Sequence, residues 1–253
     1  MTDREQVELG TIGMDRPGTV IRYGHYGQPV LVFPSEQGRA WDYEHNGMVD
    51  ALRPLLDAGR VKLYCGDSFD HLSWSDRGAP LEQRARRHQD YEGWLLGAVV
   101  PFVRQDSPGS GDDGRGLVAT GCSLGAFHAL SLALRHADVV DRVLALSGSY
   151  DPSAWHAWGE RGDAAYFTNP TDYVRGLDGD HLDWLRSRLR TVLVVGQGPW
   201  EVHPTGSLPS TRVMAKLLQD KGIWCELDEW GHDSAHDWPW WQRQVAHHLP
   251  RLL

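Results

Sequence analysis

Short apolar segments alternate with longer segments of helical periodicity along most of this chain. Apolar runs of about four to eight residues predict strands, and apolar residues three or four positions apart predict helices. The predicted strands are residues 6–13, 18–24, 29–33, 61–65, 117–120, 142–147, 191–196 and 223–230. The predicted helices are 42–58, 81–103 with a break near Pro101, 126–134, 180–189, 208–221 and 242–249. The alternation is typical of a mostly parallel central sheet with helices on both faces, so we expect one α/β domain over residues 1–253.

Two segments between these elements are unusual. Residues 106–116 are rich in Gly, Ser and Asp and predict a surface loop. Residues 149–189 are longer than a single connection and carry several aromatic residues, including Trp155 and Trp158. Two interpretations of 149–189 remain open: a small cap over a site, or an ordinary excursion with one helix at 180–189.

A glycine-rich turn separates the predicted strand 117–120 from the helix that follows it. Residues 121–125 read GCSLG and match the G-x-S-x-G pattern, whose central serine is Ser123 here. The flanking Gly121 and Gly125 keep Cβ atoms out of a crowded turn. Such a turn lifts the serine hydroxyl above the sheet at a helix N-terminus, which favours developing negative charge. The motif in this context predicts that Ser123 is a nucleophile.

A serine nucleophile needs a base, and the base needs a carboxylate that orients it. In α/β folds that use a Ser, acid and His in this chain order, the acid follows a late strand. Glu201 is the only carboxylate between the predicted strand 191–196 and Asp220. We therefore predict that Glu201 is the acid.

Two histidines follow the last predicted strand and compete for the role of base. His232 and His236 lie on one loop that can reach Ser123, and the residues alone do not choose between them. Their spacing of four positions is also that of the two metal-binding histidines of a metalloprotease, which lie in the pattern H-E-x-x-H on a helix. Here Asp233 stands in place of the Glu, Gly231 precedes and Pro239 follows. These residues favour a loop over a metal-binding helix.

The overall charge and composition narrow the classes of partner. Hydrophobic residues make up 41% and charged residues 23%, which is ordinary for a globular protein. The net charge of −9 argues against a nucleic acid and against an anionic membrane surface as the main partner. No apolar run reaches the roughly 18 residues that a transmembrane helix needs. We expect a small-molecule substrate, and the sequence leaves the oligomeric state open.

The location is predicted from the N-terminus and the cysteines. Residues 1–6 are polar and lack the apolar core of a signal peptide. Cys65, Cys122 and Cys225 are odd in number and widely spaced, so they predict neither a disulfide framework nor a zinc cluster. These features favour a reducing cytoplasm.

Three parts of the chain resemble the Putative esterase family of the α/β hydrolases, which includes S-formylglutathione hydrolases, feruloyl-type esterases and mycolyltransferases. They are the motif 121–125, the loop 196–201 (GQGPWE) and the ending 236–241 (HDWPWW). In that family the catalytic histidine directly precedes a residue that is followed by Trp and often Pro. The resemblance therefore assigns the base to His236, with His232 as the alternative, and implies the α/β-hydrolase fold.

An oxyanion hole is expected from two backbone N–H groups. One is that of Leu124, the residue after the nucleophile. The other comes from the loop after strand 29–33, where Pro34 has no N–H and the donor is Ser35 or Glu36. Matching strand ends with the family favours Glu36. A carboxylate beside an oxyanion is unfavourable, so we expect the Glu36 side chain to point away.

The predicted activity is hydrolysis of a carboxylic ester in two steps through an acyl-enzyme, with no metal or organic cofactor. An acyltransferase with the same three residues differs only in what resolves the acyl-enzyme. A non-catalytic binding protein on the same fold is the third possibility, since fold alone does not fix function. The residues do not identify the acyl or alcohol group.

Overall fold

The computed structural model describes residues 3–108 and 115–253. Among them, eight strands form one sheet. The strands are β1 Arg4–Leu9, β2 Gly18–Tyr23, β3 Gln28–Phe33, β4 Val61–Gly66, β5 Leu117–Cys122, β6 Val140–Leu146, β7 Arg190–Val195 and β8 Trp224–Glu229. Six residues of the predicted loop 106–116, namely 109–114, lie outside the described residues.

The sheet is mostly parallel, as the alternation of elements predicts. Its strand order is β1-β2-β4-β3-β5-β6-β7-β8. The pairs β1–β2 and β2–β4 are antiparallel, and every pair from β4–β3 to β7–β8 is parallel. The carboxyl ends of β3, β5, β6, β7 and β8 therefore meet at one edge, where ligands bind in sheets of this kind.

Helices cover both faces of the sheet. They are α1 Asp42–His45, α2 Met48–Ala51, α3 Arg53–Asp57, α4 Leu81–Trp94, α5 Val100–Asp106, α6 Leu124–Arg135, α7 Asp163–Phe167, α8 Pro170–Gly176, α9 Gly179–Arg188, α10 Ser207–Asp220 and α11 Trp238–His248. Successive strand residues point to opposite faces, so each strand contributes to two cores. Leu31 and Phe33 of β3 pack in the core under α4 to α6, whereas Val30 and Val32 pack with Trp241 of α11.

Two predicted helices are interrupted. The predicted helix 42–58 consists of α1, α2 and α3, because Gly47 adopts a left-handed φ of 71° and Pro54 cannot donate a hydrogen bond to the preceding turn. The predicted helix 81–103 runs to residue 106, and its irregularity lies before Pro101, as a π-helical stretch over Leu95–Val99. The sequence located both segments, but it missed the break at Gly47 and put the other break near Pro101, just after the π-helical stretch.

Helix α11 begins four residues earlier than the periodicity predicts. The Asp237 carboxylate accepts the Trp238 N–H at 2.8 Å and caps the helix, and Pro239 occupies its first turn. The ending that resembles the esterase family is therefore the start of a helix. This helix start fixes the loop that carries His236.

Residues 149–189 contain more structure than the single helix predicted at 180–189. Helices α7 and α8 precede α9, and α7 packs on α4 while α8 packs on α6 and α10. The excursion is therefore attached to the body of the domain along several elements. In the part of the chain that the structure describes, every helix is too short or too polar to cross a bilayer.

Candidate active site

Ser123 lies on the turn between β5 and α6 in a strained conformation. Its φ is 56° and its ψ is −120°, a combination that side-chain-bearing residues rarely adopt. A Cβ on Gly121 would lie 2.4 Å from the Gly125 carbonyl carbon, and one on Gly125 would lie 2.4 Å from the Pro34 carbonyl oxygen. Both glycines are thus required by close backbone approach, as the motif predicts.

The structure brings Ser123, His236 and Glu201 together in one hydrogen-bonded row. His236 Nε2 lies 3.0 Å from Ser123 Oγ, and His236 Nδ1 lies 3.1 Å from Glu201 Oε2. Ser123 follows β5, Glu201 lies on the loop after β7, and His236 lies on the loop after β8. The three residues are more than 30 positions apart in sequence. The Nδ1–H donates to the Glu201 carboxylate, which leaves Nε2 as the acceptor for the serine hydroxyl.

Glu201 is fully buried, and its other oxygen is also hydrogen-bonded. Glu201 Oε1 accepts the Ser147 hydroxyl at 2.6 Å and the Gly196 N–H at 3.1 Å. A buried carboxylate needs such donors, because desolvation otherwise penalises its charge. The hydrogen bonds fix both oxygens of Glu201 relative to the His236 ring.

Ser147 is a site residue that the sequence reasoning did not identify. It follows β6 at the same edge of the sheet, is fully buried and has a left-handed φ of 52°. Its hydroxyl oxygen also accepts the Trp241 Nε1–H at 3.0 Å, and the Trp241 ring packs edge-on against His236 at 4.9 Å. The signal available in the sequence was a polar residue at the carboxyl end of the predicted strand 142–147.

The other histidine of the loop lies elsewhere. His232 is exposed, and no contact between it and Ser123 or Glu201 occurs among the described residues. Within residues 3–108 and 115–253, no group of three or more His, Cys, Asp or Glu side chains is placed to hold a metal ion.

Three of the four backbone N–H groups of the loop 35–38, which follows β3, have acceptors. The Ser35 N–H donates to Asp42 Oδ2 at 3.0 Å, and the Gln37 N–H donates to Asp70 Oδ2 at 3.0 Å. The Glu36 N–H has no acceptor among the described residues. Glu36 lines the same pocket as Ser123 and Leu124. The Leu124 N–H is the first of α6, so no preceding helical turn supplies an acceptor for it.

The carboxylate of Glu36 is bound by a neighbouring hydroxyl. Glu36 is exposed, and its Oε1 accepts the Ser75 hydroxyl at 2.7 Å. The Ser75 backbone N–H in turn donates to the carbonyl oxygen of Asp70 at 2.9 Å. The turn at 70–75 therefore holds the Glu36 side chain.

A pocket of about 670 Å³ opens beside Ser123. One wall comes from the excursion 149–189, and the opposite wall from the segment that begins α10. Its lining includes Trp74, Arg77, Asp151 and Trp155. The volume is within the range of small-molecule sites.

Cys122 stands next to Ser123 in the chain but is buried under the turn. Its Sγ lies 3.8 Å from the Tyr43 hydroxyl. Burial raises the pKa of the Cys122 thiol well above its ordinary value. The reactive thiolate is therefore scarce at neutral pH, and Ser123 is the group that faces the pocket.

Comparisons with solved structures show the same fold over nearly the whole chain. A ferulic acid esterase superposes with a TM-score of 0.75 at 16% identity, covering 99% of this chain and 97% of the other. An S-formylglutathione hydrolase from Staphylococcus aureus superposes with a TM-score of 0.68 at 10% identity, covering 99% and 97%. The fluorophosphonate-binding serine hydrolase F of Staphylococcus aureus superposes with a TM-score of 0.69 at 12% identity, covering 99% and 98%.

A comparison of sequences gives the family. No curated protein matches the chain. The family model described as Putative esterase matches residues 65–252, which is most of the chain and includes the turn 121–125 (the nucleophile elbow), Glu201 and His236. The chain thus belongs to the Putative esterase family and has the α/β-hydrolase fold.

Proposed function

We propose that this protein hydrolyses a small-molecule carboxylic ester through a Ser123–His236–Glu201 triad and an acyl-enzyme. The observation that carries the proposal is the row of two hydrogen bonds, 3.0 and 3.1 Å long, that ends on a serine in a strained elbow. Nucleophile, base and orienting acid are recognised by this geometry more than by sequence order.

In the first step, Ser123 Oγ attacks the ester carbonyl carbon while His236 Nε2 takes the hydroxyl proton. The resulting imidazolium is stabilised by the Glu201 carboxylate, which keeps its own charge. The tetrahedral intermediate collapses, and His236 returns the proton to the leaving alkoxide oxygen. The alcohol departs, and the acyl group remains bonded to Ser123.

In the second step, water repeats the attack on the acyl-enzyme. His236 accepts a proton from the water molecule, whose oxygen bonds to the acyl carbon. Collapse of the second tetrahedral intermediate breaks the bond to Ser123 Oγ, which regains its proton from His236. The products are a carboxylic acid and free enzyme.

The oxyanion of both intermediates is bound by the N–H groups of Leu124 and Glu36. Support for Glu36 over Ser35 comes from the loop, in which the Ser35 N–H is already bonded to Asp42. Loss of one oxyanion-hole donor typically costs about 10²- to 10³-fold in kcat. The Glu36 carboxylate avoids the oxyanion because Ser75 holds it.

Active-site labelling tests the triad directly. Incubation with a fluorophosphonate, read by intact mass, is expected to add one phosphonyl group to the wild type and none to Ser123→Ala. His236→Ala should label at least 10³-fold more slowly, by loss of the general base. His232→Ala is the matched control and should label like the wild type.

The outcomes separate the candidate functions. Normal labelling of His236→Ala with loss in His232→Ala would overturn the choice of base. An unlabelled wild type would contradict the activated serine and favour a binding role. Product analysis of a p-nitrophenyl ester with and without added alcohol distinguishes hydrolysis from acyl transfer.

A further inference from the structure

We propose that Asp70, held by His128, is a positioning residue that fixes the oxyanion-hole loop 35–38 against the nucleophile helix α6. The inference rests on the proposed function, because it assigns a role in placing the Glu36 N–H. Neither residue contacts the pocket that contains Ser123. Both act through the backbone of the loop.

The first contact fixes the amide that follows Glu36. Asp70 Oδ2 accepts the Gln37 N–H at 3.0 Å, and Asp70 is 1% exposed. Gln37 has a left-handed φ of 57°, which is unfavourable for a residue with a side chain. A charged acceptor in a buried site offsets this cost and holds the loop in the conformation in which the Glu36 N–H has no acceptor among the described residues.

The second contact connects the same carboxylate to the helix that follows the nucleophile. Asp70 Oδ1 lies 2.8 Å from His128 Nε2, and both side chains are buried. Since a carboxylate only accepts, His128 Nε2 carries the proton and donates it. His128 lies four residues after Leu124 on α6, so one carboxylate links the elements that supply the two oxyanion-hole donors.

The third contact runs through the backbone of Asp70. Its carbonyl oxygen accepts the Ser75 N–H at 2.9 Å, and the Ser75 hydroxyl binds the Glu36 carboxylate at 2.7 Å. The segment 70–75 therefore holds the backbone N–H of Gln37, the residue after Glu36, and also the Glu36 side chain. A shift of Asp70 moves the N–H donor and the nearby negative charge together.

The surrounding core makes this link stiff. His128 stacks on Phe33, the last residue of β3, at 5.9 Å, and on His88 of α4 at 5.2 Å. The loop, its strand and the nucleophile helix are thus packed around one buried ion-dipole network. Catalytic donors must be held to within about half an ångström, which a loop alone rarely achieves.

Two variants remove the link in different ways. Asp70→Asn keeps the shape of the side chain, but its amide cannot accept hydrogen bonds from both the Gln37 N–H and the His128 Nε2–H, as the ionised carboxylate does. His128→Phe keeps a ring and removes the donor. We expect each to lower kcat for p-nitrophenyl benzoate by about tenfold, a fraction of the effect of deleting a donor, with KM changed less than threefold.

The readout that isolates the oxyanion hole is a comparison with the matching thionoester, O-(p-nitrophenyl) thionobenzoate. Sulfur is a weak hydrogen-bond acceptor, so the thionoester gains little from the N–H donors. The ratio of ester to thionoester kcat should fall about tenfold in Asp70→Asn and His128→Phe. A ratio that stays at the wild-type value, whether or not both kcat values fall, would overturn the positioning role.

His88→Phe is the matched control. His88 is buried in the same cluster, and neither of its ring nitrogens has a hydrogen-bond partner among the described residues. Burial, with the neighbouring His128 and Arg135, holds the pKa of His88 well below its ordinary value, so the substitution removes no charge. It should leave the ester to thionoester ratio of the wild type unchanged.

Failure of this inference is distinguishable from failure of the proposed function. If Ser123→Ala retains esterase activity, the triad is wrong whatever Asp70 does. If activity requires Ser123 and the ratio stays at the wild-type value in folded Asp70→Asn and His128→Phe, only the positioning role is wrong. Thermal melting of each variant establishes that the protein measured is folded.

Discussion

At the scale of single residues, the site depends on how a fully buried carboxylate is satisfied. Glu201 receives hydrogen bonds on both oxygens, from His236 on one and from Ser147 and the Gly196 N–H on the other. Ser147 connects this carboxylate to Trp241, whose ring packs against His236. The orientation of the His236 ring is therefore set from two sides.

Replacing Ser147 by Ala should weaken both stability and turnover. The Trp241 N–H would lose its acceptor and Glu201 Oε1 one of its two donors, at a cost of about 1–3 kcal/mol in the free energy of unfolding. We expect kcat to fall about three- to tenfold, with KM unchanged, because the Glu201 carboxylate becomes less firmly placed. Urea unfolding and ester kinetics measure the two effects.

Ser131→Ala serves as the comparison for Ser147→Ala. Ser131 is a buried serine of α6 whose hydroxyl accepts from Arg135 and does not contact the triad. The Ser131→Ala variant should have a lower free energy of unfolding and the kcat of the wild type. A loss of kcat as large as that of Ser147→Ala would show that the effect on turnover is not specific to the Glu201 contact.

At the scale of elements, the excursion 149–189 is held on the body by a carboxylate of α4. Glu82 accepts the N–H groups of Gly162 and Ala165 at 2.9 and 3.0 Å, at the start of α7. Burial alone raises the pKa of Glu82, but these N–H groups and the Arg86 guanidinium outweigh it and hold the pKa below its ordinary value. The contact therefore stabilises the fold in its ionised form.

Glu82→Gln should destabilise the protein at neutral pH and less so in acid. A carboxyl with a lowered folded pKa contributes stability above its unfolded pKa of about 4.3, and that stability is lost as the pH falls through the folded pKa. We expect a loss of about 1 kcal/mol at pH 7. The difference between wild type and variant should shrink in urea titrations near pH 4 and below.

Glu160→Gln provides the matched comparison for Glu82→Gln. Glu160 is an exposed carboxylate of the same excursion, and removing it changes the net charge equally. Its substitution should leave the free energy of unfolding within about 0.5 kcal/mol of the wild type at both pH values. A pH-independent loss in Glu82→Gln would argue against the ionised contact.

At the scale of the whole molecule, the pocket is made where the excursion meets the body. Tryptophans from both parts, Trp74 and Trp155, lie edge to face at 5.8 Å and line it. The Asp151 carboxylate is occupied by Ser153 and Asn169, whereas the Arg77 guanidinium has no ion-pair partner within the described residues. The pocket therefore offers aromatic surface and an available positive charge.

Arg77→Gln should discriminate between charged and neutral substrates. We expect kcat/KM for a p-nitrophenyl ester that ends in a carboxylate to fall about three- to fivefold, which is the size expected for loss of a partly exposed ion pair. Because salt screens such a pair, the decrease in kcat/KM should be smaller at high salt. A neutral ester of equal length should be unaffected. Arg186→Gln, which changes the net charge equally at an exposed position of α9, should leave both values unchanged.

The alternation of apolar strands and helices was sufficient to predict the mostly parallel sheet, because each element is encoded by its own local periodicity. The same local reading placed Ser123 on an elbow and Glu201 after β7. It put the break within 81–103 near Pro101, just after the π-helical stretch Leu95–Val99, and it missed the break within 42–58, where the single residue Gly47 decides between neighbouring helical conformations. The catalytic roles of these residues stay predictions until labelling is done.

The sequence by itself determined the fold class and the glycine-rich turn 121–125, and it predicted the chain order of nucleophile, acid and base, since these depend on segments of consecutive residues. Choosing between His232 and His236 required a resemblance, and only the tertiary structure shows which ring lies against Ser123. Ser147 on Glu201 and Asp70 on His128 join residues 54 and 58 positions apart. Such contacts leave no periodic trace in the chain, because packing of separate elements, and not local preference, brings the partners together.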